Sequence, residues 1–281
     1  MSSPHYVYFP IDLLGFHRPR LQLRKHVSQI PVLKQESRRC IRALANYTPR
    51  RKNIKYPRER CAAVLVALFV GRKGDLYVLL SKRASTLRTY AGDTALPGGK
   101  VDKRDRNAEE TARREAFEEI GLATDKSKVP LLCVLEPFLA GNGVLITPVV
   151  VLVLDNMLRP VLNTPEVAQL FSHPLASFLS TESPFPQDQS MVEFPYYSYE
   201  DTPFHRGSPR KIRLHHFLTG REAGGVKPIF GVTAAIMIRV ASIGYGLEPE
   251  FLLKAPSQPG MRERVEYASN ENKRAQAKAK L

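Results

Sequence analysis

Cysteine is scarce in this 281-residue chain: Cys40, Cys61 and Cys133 lie far apart with no paired spacing. That argues against a disulfide framework and against a zinc site. Cys61 and Cys133 fall in apolar, strand-like runs, where a buried thiol is the usual case, and the chain fits a reducing or matrix-like interior. Long apolar stretches are missing too. The best, 61–70 and 144–154, are strand-sized; Arg60 bounds the first, and Pro148 and Asp155 interrupt and bound the second. No membrane span and a soluble protein are therefore expected. The opening MSSPHYVYFPIDLLGF lacks the charged start, apolar core and cleavage site of a secretory signal. Acidic residues are outnumbered, 27 against 42 Lys and Arg, for a net charge of +15. Such a balance draws polyanions, either nucleic acid or a nucleotide with several phosphates. Much of the excess lies in 18–25, 48–60 and from Arg262 to Lys280, where a solvated charge run is the bland reading. No basic stretch has the interleaved aromatics of an RNA-binding sheet, so nucleic acid is not the expected partner.

Periodicity and punctuation then order the chain. Leu33, Ile41, Leu44 and Ala45 predict a short helix. AAVLVALFV and LYVLLSKR, joined by a turn at 71–75, read as a hairpin, and residues 84–100 as loop. A helix is predicted from Ala108 to Ile120, stopped by Gly121, with Ala108, Ala112, Ala116 and Ile120 as its buried face and Phe117 beside it. Two strands follow, 131–140 and 144–154, turning at Gly141-Asn142-Gly143. Residues 166–179 read as partly helical and 180–210 as a long surface loop or lid. KIRLHHFL is a strand in which His215 and His216 point to opposite faces. Val232 to Ile243 is an apolar helix, and Met261 to Lys280 an exposed helix or disordered segment. This order implies an α/β fold, a mixed β-sheet sandwiched between α-helices. The domain spans 36–255, between an N-terminal extension (1–35) and a basic tail (256–281).

The chemistry concentrates in LPGGKVDKRDRNAEETARREAFEEIGL, residues 96–122. Glu115, Glu118 and Glu119 are spaced i, i+3, i+4, so their carboxylates converge on one side of the helix. Like charges so placed repel, and the C-terminal end of a helix dipole disfavours anions. Arg113 and Arg114 compensate in part; a divalent cation with oxygen ligands does so better, Mg²⁺ or Mn²⁺ being the natural choices. The bland alternative is a solvated face paired with arginines. The preceding Pro97-Gly98-Gly99 gives a rigid entry and two permissive residues that bring backbone near the helix and leave a carbonyl for a metal.

The same residues resemble the Nudix box, GX5EX7REUXEEXGU. Gly99 matches the first Gly, Arg114-Glu115 the RE, Glu118-Glu119 the EE and Gly121-Leu122 the final GU. Asp105 replaces the first Glu, with one extra residue before Arg114, and Ala116 is a minimal side chain at the first aliphatic position. The coenzyme A branch of the superfamily has a similar departure, matched here by Gly98, Gly99, Lys100, Asp102, Asp105, Thr111, Ala112, Arg114, Glu115 and Ala116. It also has an upstream motif, resembled by LLSKRASTLRTYAGDTALPGG from Leu79 to Gly99, with Arg83, Arg88 and Gly92 in register and Leu96 where Phe is usual. Residues 131–154, Pro165-Glu166-Val167 and 230–236 look like later landmarks of that branch.

The resemblance implies metal-dependent hydrolysis of the diphosphate of coenzyme A or acyl-CoA to 3′,5′-ADP and (acyl-)4′-phosphopantetheine. It implies Glu115, Glu118, Glu119 and the Gly99 carbonyl as metal ligands, Glu118 also as candidate base, and Arg114 as the residue that holds a glutamate by a salt bridge, supported by Asp105. Arg83 and Arg88 become candidates for phosphate, with Lys82 and Lys100 behind them. Otherwise Arg83 caps a hairpin and Arg88 pairs with Asp93 or Asp102. Other readings are a nucleotide-pool sanitiser of the 8-oxo-dGTP type, a capped-RNA hydrolase, or a non-enzymatic nucleotide sensor. The ending Ala279-Lys280-Leu281 resembles the Ser-Lys-Leu peroxisomal address. It implies a peroxisomal import receptor as partner, with mitochondrial or cytoplasmic location as the alternative.

Overall fold

The computed structural model describes residues 33–49, 56–154, 160–185 and 194–278. Its centre is β1 (Cys61–Val70), a ten-residue apolar run without a charge, long enough to pair on both edges and be covered on both faces. One edge carries β7 (Leu145–Val153), parallel, in register from Cys61↔Leu145 to Phe69↔Val153. The other edge is shared: β2 (Leu76–Arg83) pairs antiparallel with its end, and β4 (Gly98–Lys100) with its beginning, Ala63 opposite Gly99. β3 (Thr94–Ala95) and β8 (Val167–Pro174) flank β2; β5 (Leu131–Val134) and β6 (Phe138–Leu139) pair with β7. Parallel and antiparallel pairs coexist, so the sheet is mixed.

Side-chain alternation assigns the two faces. Ala63, Leu65 and Ala67 of β1 and Val149 and Val151 of β7 pack with Ala112, Ala116 and Ile120 of helix α2 (Ala108–Ile120). Val66, Leu68, Val150 and Leu152 pack on the other face against α1 (Gln35–Asn46) and α3 (Gly231–Tyr245). The result is helices on both sides of one sheet, as a continuous apolar strand requires. A three-stranded sheet, β9 (Tyr197–Pro203), β10 (Lys211–Phe217) and β11 (Ile229–Phe230), adjoins α3. Helix α4 (Met261–Lys278) lies beside β6, where Arg264 donates to the Leu139 carbonyl at 3.0 Å and Val265 is buried.

Several local expectations need correction. Residues 166–179, expected to be partly helical, are mostly strand: β8 pairs with β2 along most of its length, and the helical part is only a short 3₁₀ turn, Ala176–Leu179. The strand expected over 131–140 is two strands, broken around Glu136 and Pro137. The described part of 180–210 is not all loop, because Tyr197–Pro203 pairs residue for residue with β10. Tyr196 is buried and bonded to His173 at 2.8 Å, and Tyr197 to His215 at 2.9 Å, so both anchor structure. Residues 186–193, the first 32 residues and Ala279-Lys280-Leu281 lie outside the described residues. Among the described residues no helix is long and apolar enough to cross a membrane.

Candidate active site

The site is assembled by β1. Its first half holds β4 by strand pairing and α2 by apolar packing, so the glycine turn and the glutamate helix meet over one strand. The Leu65 amide donates to the Pro97 carbonyl at 2.8 Å, which fixes the entry to the turn. Gly98 takes φ +155, and a Cβ there would lie 2.4 Å from the Ala63 carbonyl oxygen. At Gly99 the demand comes from the other side: a Cβ would lie 2.5 Å from the Glu115 carboxylate. Two glycines therefore let backbone approach both sheet and acid. The helix starts under an Asn107 cap, whose side chain accepts from the Glu110 amide at 3.0 Å, and stops at Gly121 with φ +65. These are ordinary helix signals. Ala112, Ala116 and Ile120 are buried as expected, whereas Phe117 points outward, 57% exposed.

Arg114 organises the acids on the near side. Its guanidinium donates to Asp105 (3.1 and 2.9 Å), to Glu115 at 2.9 Å and to Glu118 at 3.1 Å. A further N–H reaches the Lys100 carbonyl at 3.1 Å. Asp105 is buried and also accepts from the Thr111 hydroxyl (2.9 Å) and the Asp102 amide (2.8 Å). Burial alone would raise its pKa, but these donors outweigh it and hold the carboxyl below its ordinary value. The same bonds, Asp105 first, raise the Arg114 guanidinium. Arg113 has no part in this. It faces away, buried, bonded to Glu109 at 2.8 Å and to the Val129 carbonyl at 2.8 Å, so it does not compensate the three glutamates.

Glu119 lies deepest. Its carboxylate accepts from the Gly98 amide at 3.0 Å, and the Arg83 guanidinium stands 3.8 Å away. Burial, only partly offset by these two contacts, pushes its pKa up to about 7, and the neighbouring Glu115 and Glu166 carboxylates add to the rise. Burial likewise raises Glu115, against the pull of Arg114. Glu118 is the outer member, its side chain 52% exposed.

Glu166 is a functional candidate that spacing does not find. The loop before β8 docks on the end of α2: the Val161 amide donates to the Ile120 carbonyl (3.0 Å) and the Asn163 amide to the Glu119 carbonyl (2.9 Å). The Glu166 carbonyl accepts from the Ala84 amide at 2.9 Å, beside Arg83. A fourth carboxylate thus joins the site through tertiary contact; Pro165-Glu166-Val167 was a landmark in the sequence, not a site. Strand alternation separates Arg83 from Lys82. Arg83 reaches the glutamate face, whereas the Lys82 ammonium lies near Gly225 on the opposite side. Arg88 and Lys100 are exposed. Asp93 pairs with Lys227 at 2.5 Å and Asp102 with Arg104 at 3.1 Å, so neither holds Arg88.

The NUDIX domain family model matches residues 59–212, more than half of the chain. This chain belongs to the Nudix hydrolase family. It is similar to Nudix hydrolase 15, mitochondrial, of Arabidopsis thaliana, 37% identical over 69% of this chain and 62% of the relative. It is similar to peroxisomal coenzyme A diphosphatase 1 of Saccharomyces cerevisiae, 47% identical over 33% of this chain and 27% of the relative. The mouse peroxisomal coenzyme A diphosphatase NUDT7 is 32% identical over 67% of this chain and 72% of the relative. The chain thus spans about three fifths of the plant relative and about a quarter of the yeast one.

Nudix hydrolases generally use divalent metals. The donors present suit one: hard oxygen ligands, with buried negative charge that a cation would relieve. The Gly99 cradle against Glu115 keeps space that a side chain would fill. Among the described residues no three acidic, His or Cys side chains are drawn into one coordinating group, because Glu115 is turned to Arg114 and Glu119 to Gly98. The donor chemistry fits; the rotamers shown are those of the protein's own hydrogen bonds.

Proposed function

We propose that this Nudix protein hydrolyses the diphosphate bond of coenzyme A and its acyl derivatives, giving 3′,5′-ADP and (acyl-)4′-phosphopantetheine. The observation that carries the reading is the meeting of two motifs. Arg83, from the upstream motif, stands 3.8 Å from Glu119 of the box. Its Nε is buried without a hydrogen-bond partner among the described residues, a donor that a substrate phosphate would satisfy. The similarity to the yeast and mouse coenzyme A diphosphatases supports the same substrate.

In this reading Glu115, Glu118, Glu119 and the Gly99 carbonyl hold Mg²⁺ or Mn²⁺, with Glu166 adding charge beside them. Bound there, a metal would supply charge neutralisation for the diphosphate and a lowered pKa for water. Arg114 positions Glu115 and Glu118 from its anchor on Asp105. Glu118, the carboxylate most open to solvent, takes the proton of the attacking water. Arg83 grips the diphosphate, and Arg88 and Lys100, at the rim, contact the outlying phosphate. The similarity to peroxisomal coenzyme A diphosphatases supports a peroxisomal location, with Ala279-Lys280-Leu281 proposed as the address an import receptor reads; removing the three residues should leave catalysis intact and shift the protein to the cytosol.

A panel of coenzyme A, acyl-CoAs, 8-oxo-dGTP, NADH and ADP-ribose tests the substrate. Coenzyme A or an acyl-CoA should rank first by kcat/KM. A ranking led by 8-oxo-dGTP would replace the reading with that of a nucleotide-pool sanitiser.

A further inference from the structure

β2 ends at Arg83, and ten residues later the chain returns to it, the Arg83 amide donating to the Asp93 carbonyl at 2.9 Å. The intervening turn is pinned. The Asp93 amide donates to the Tyr90 carbonyl at 3.2 Å. From the segment before β11, the Lys227 ammonium donates to the Ala91 carbonyl at 3.1 Å and to the Asp93 carboxylate at 2.5 Å. The Thr94 hydroxyl donates to the Lys227 carbonyl at 2.7 Å. Within this frame Tyr90 holds φ +57, one of two non-glycine residues among those described in the left-handed region. Glycine or asparagine suits that conformation; a bulky side chain is strained there. Such strain persists only where the surroundings over-determine it, and it clusters at ligand-binding sites.

The Tyr90 ring is only half covered by its own protein. It is 51% exposed, and neither it nor the Arg88 guanidinium two residues away has a partner among the described residues. The turn therefore presents an open π-face and an unpaired cation. It does so from the base of Arg83, whose side chain reaches the buried glutamate.

We propose that Tyr90 is the stacking platform for the nucleobase of the substrate, held at the rim by the Lys227 clamp with Arg88 beside it. The occupant is the nucleotide half of a diphosphate; that it carries adenine and a 3′-phosphate rests on the function proposed above. Stacking on an aromatic face suits any base, so discrimination for the 3′-phosphate falls to Arg88.

The test uses the full chain and 3′,5′-ADP as probe, with binding by calorimetric titration and stability by thermal unfolding. Y90N removes the ring while supplying a residue at home in the left-handed region, and Y90F keeps the ring. Y90N should weaken 3′,5′-ADP about 10-fold or more with an unchanged or higher Tm, and Y90F should bind like the wild type. Wild-type affinity in Y90N overturns the proposal. So does a fall in Tm together with the affinity, which would make the ring a structural anchor, and so does a wild type that does not bind 3′,5′-ADP. A wild type that binds 3′,5′-ADP but leaves coenzyme A uncut would overturn the proposed function and leave the platform standing.

Discussion

Replacing Glu119 by Gln should make the metal-free protein more stable and the enzyme inactive. Burial lifts the Glu119 pKa from 4.5 to about 7. At ~1.4 kcal/mol for each pH unit, ionising it in the fold costs about 3 kcal/mol. Between these values the folded protein keeps a proton that the unfolded chain has released, so stability falls as pH rises through about 4.5 to 7. Gln carries no charge to bury and keeps an oxygen for the Gly98 amide, which now donates to the carboxylate at 3.0 Å. Urea unfolding in EDTA at pH 5 to 8 measures the difference. The variant should match the wild type near pH 5 and exceed it by about 1–3 kcal/mol at pH 8, while added Mg²⁺ stabilises only the wild type. A variant no more stable than the wild type at pH 8 would refute the idea that this carboxylate is held ionised against its surroundings.

Further expectations follow from single contacts. Gly99→Ala pushes a methyl into the Glu115 carboxylate, a flexible group that can yield; kcat should fall about 100-fold with little change in Tm. Arg114→Ala leaves the buried Asp105 without its main partner and should cost about 2 kcal/mol in urea unfolding. Arg114→Lys should recover part of that stability but not the activity, because an ammonium cannot span Asp105, Glu115 and Glu118 together. His173 is fully buried, and burial lowers its pKa to about 3. Its contribution is present above the unfolded value near 6.5 and is lost as pH falls towards 3. His173→Gln should flatten the dependence of Tm on pH between 4 and 6.5.

The glutamate helix was legible in the sequence because every signal for it is local. Four-residue steps of Ala112, Ala116 and Ile120 set the buried face, and Gly121 marks the end. The central hairpin was legible for the same reason. What escaped depends on distant partners. Residues 167–174 become a strand because β2 offers an edge, and Tyr197–Pro203 because β10 does; neither edge is visible in the segment itself. Phe117 was placed beside the buried face, yet the helix turns it outward. Arg113 and Arg114 are chain neighbours, but one helical step of about 100° sends Arg113 to Glu109 and Arg114 to the acid cluster. Glu166 could not be paired with Glu119 from spacing, since 47 residues separate them and a docked loop brings them together.

The most direct measurement is identification of the products formed from coenzyme A with Mg²⁺, with Mn²⁺ and with EDTA. The proposed reaction yields 3′,5′-ADP and 4′-phosphopantetheine in equal amounts with either metal and none with the chelator. Intact coenzyme A under all three conditions, or cleavage that ignores the chelator, would contradict it.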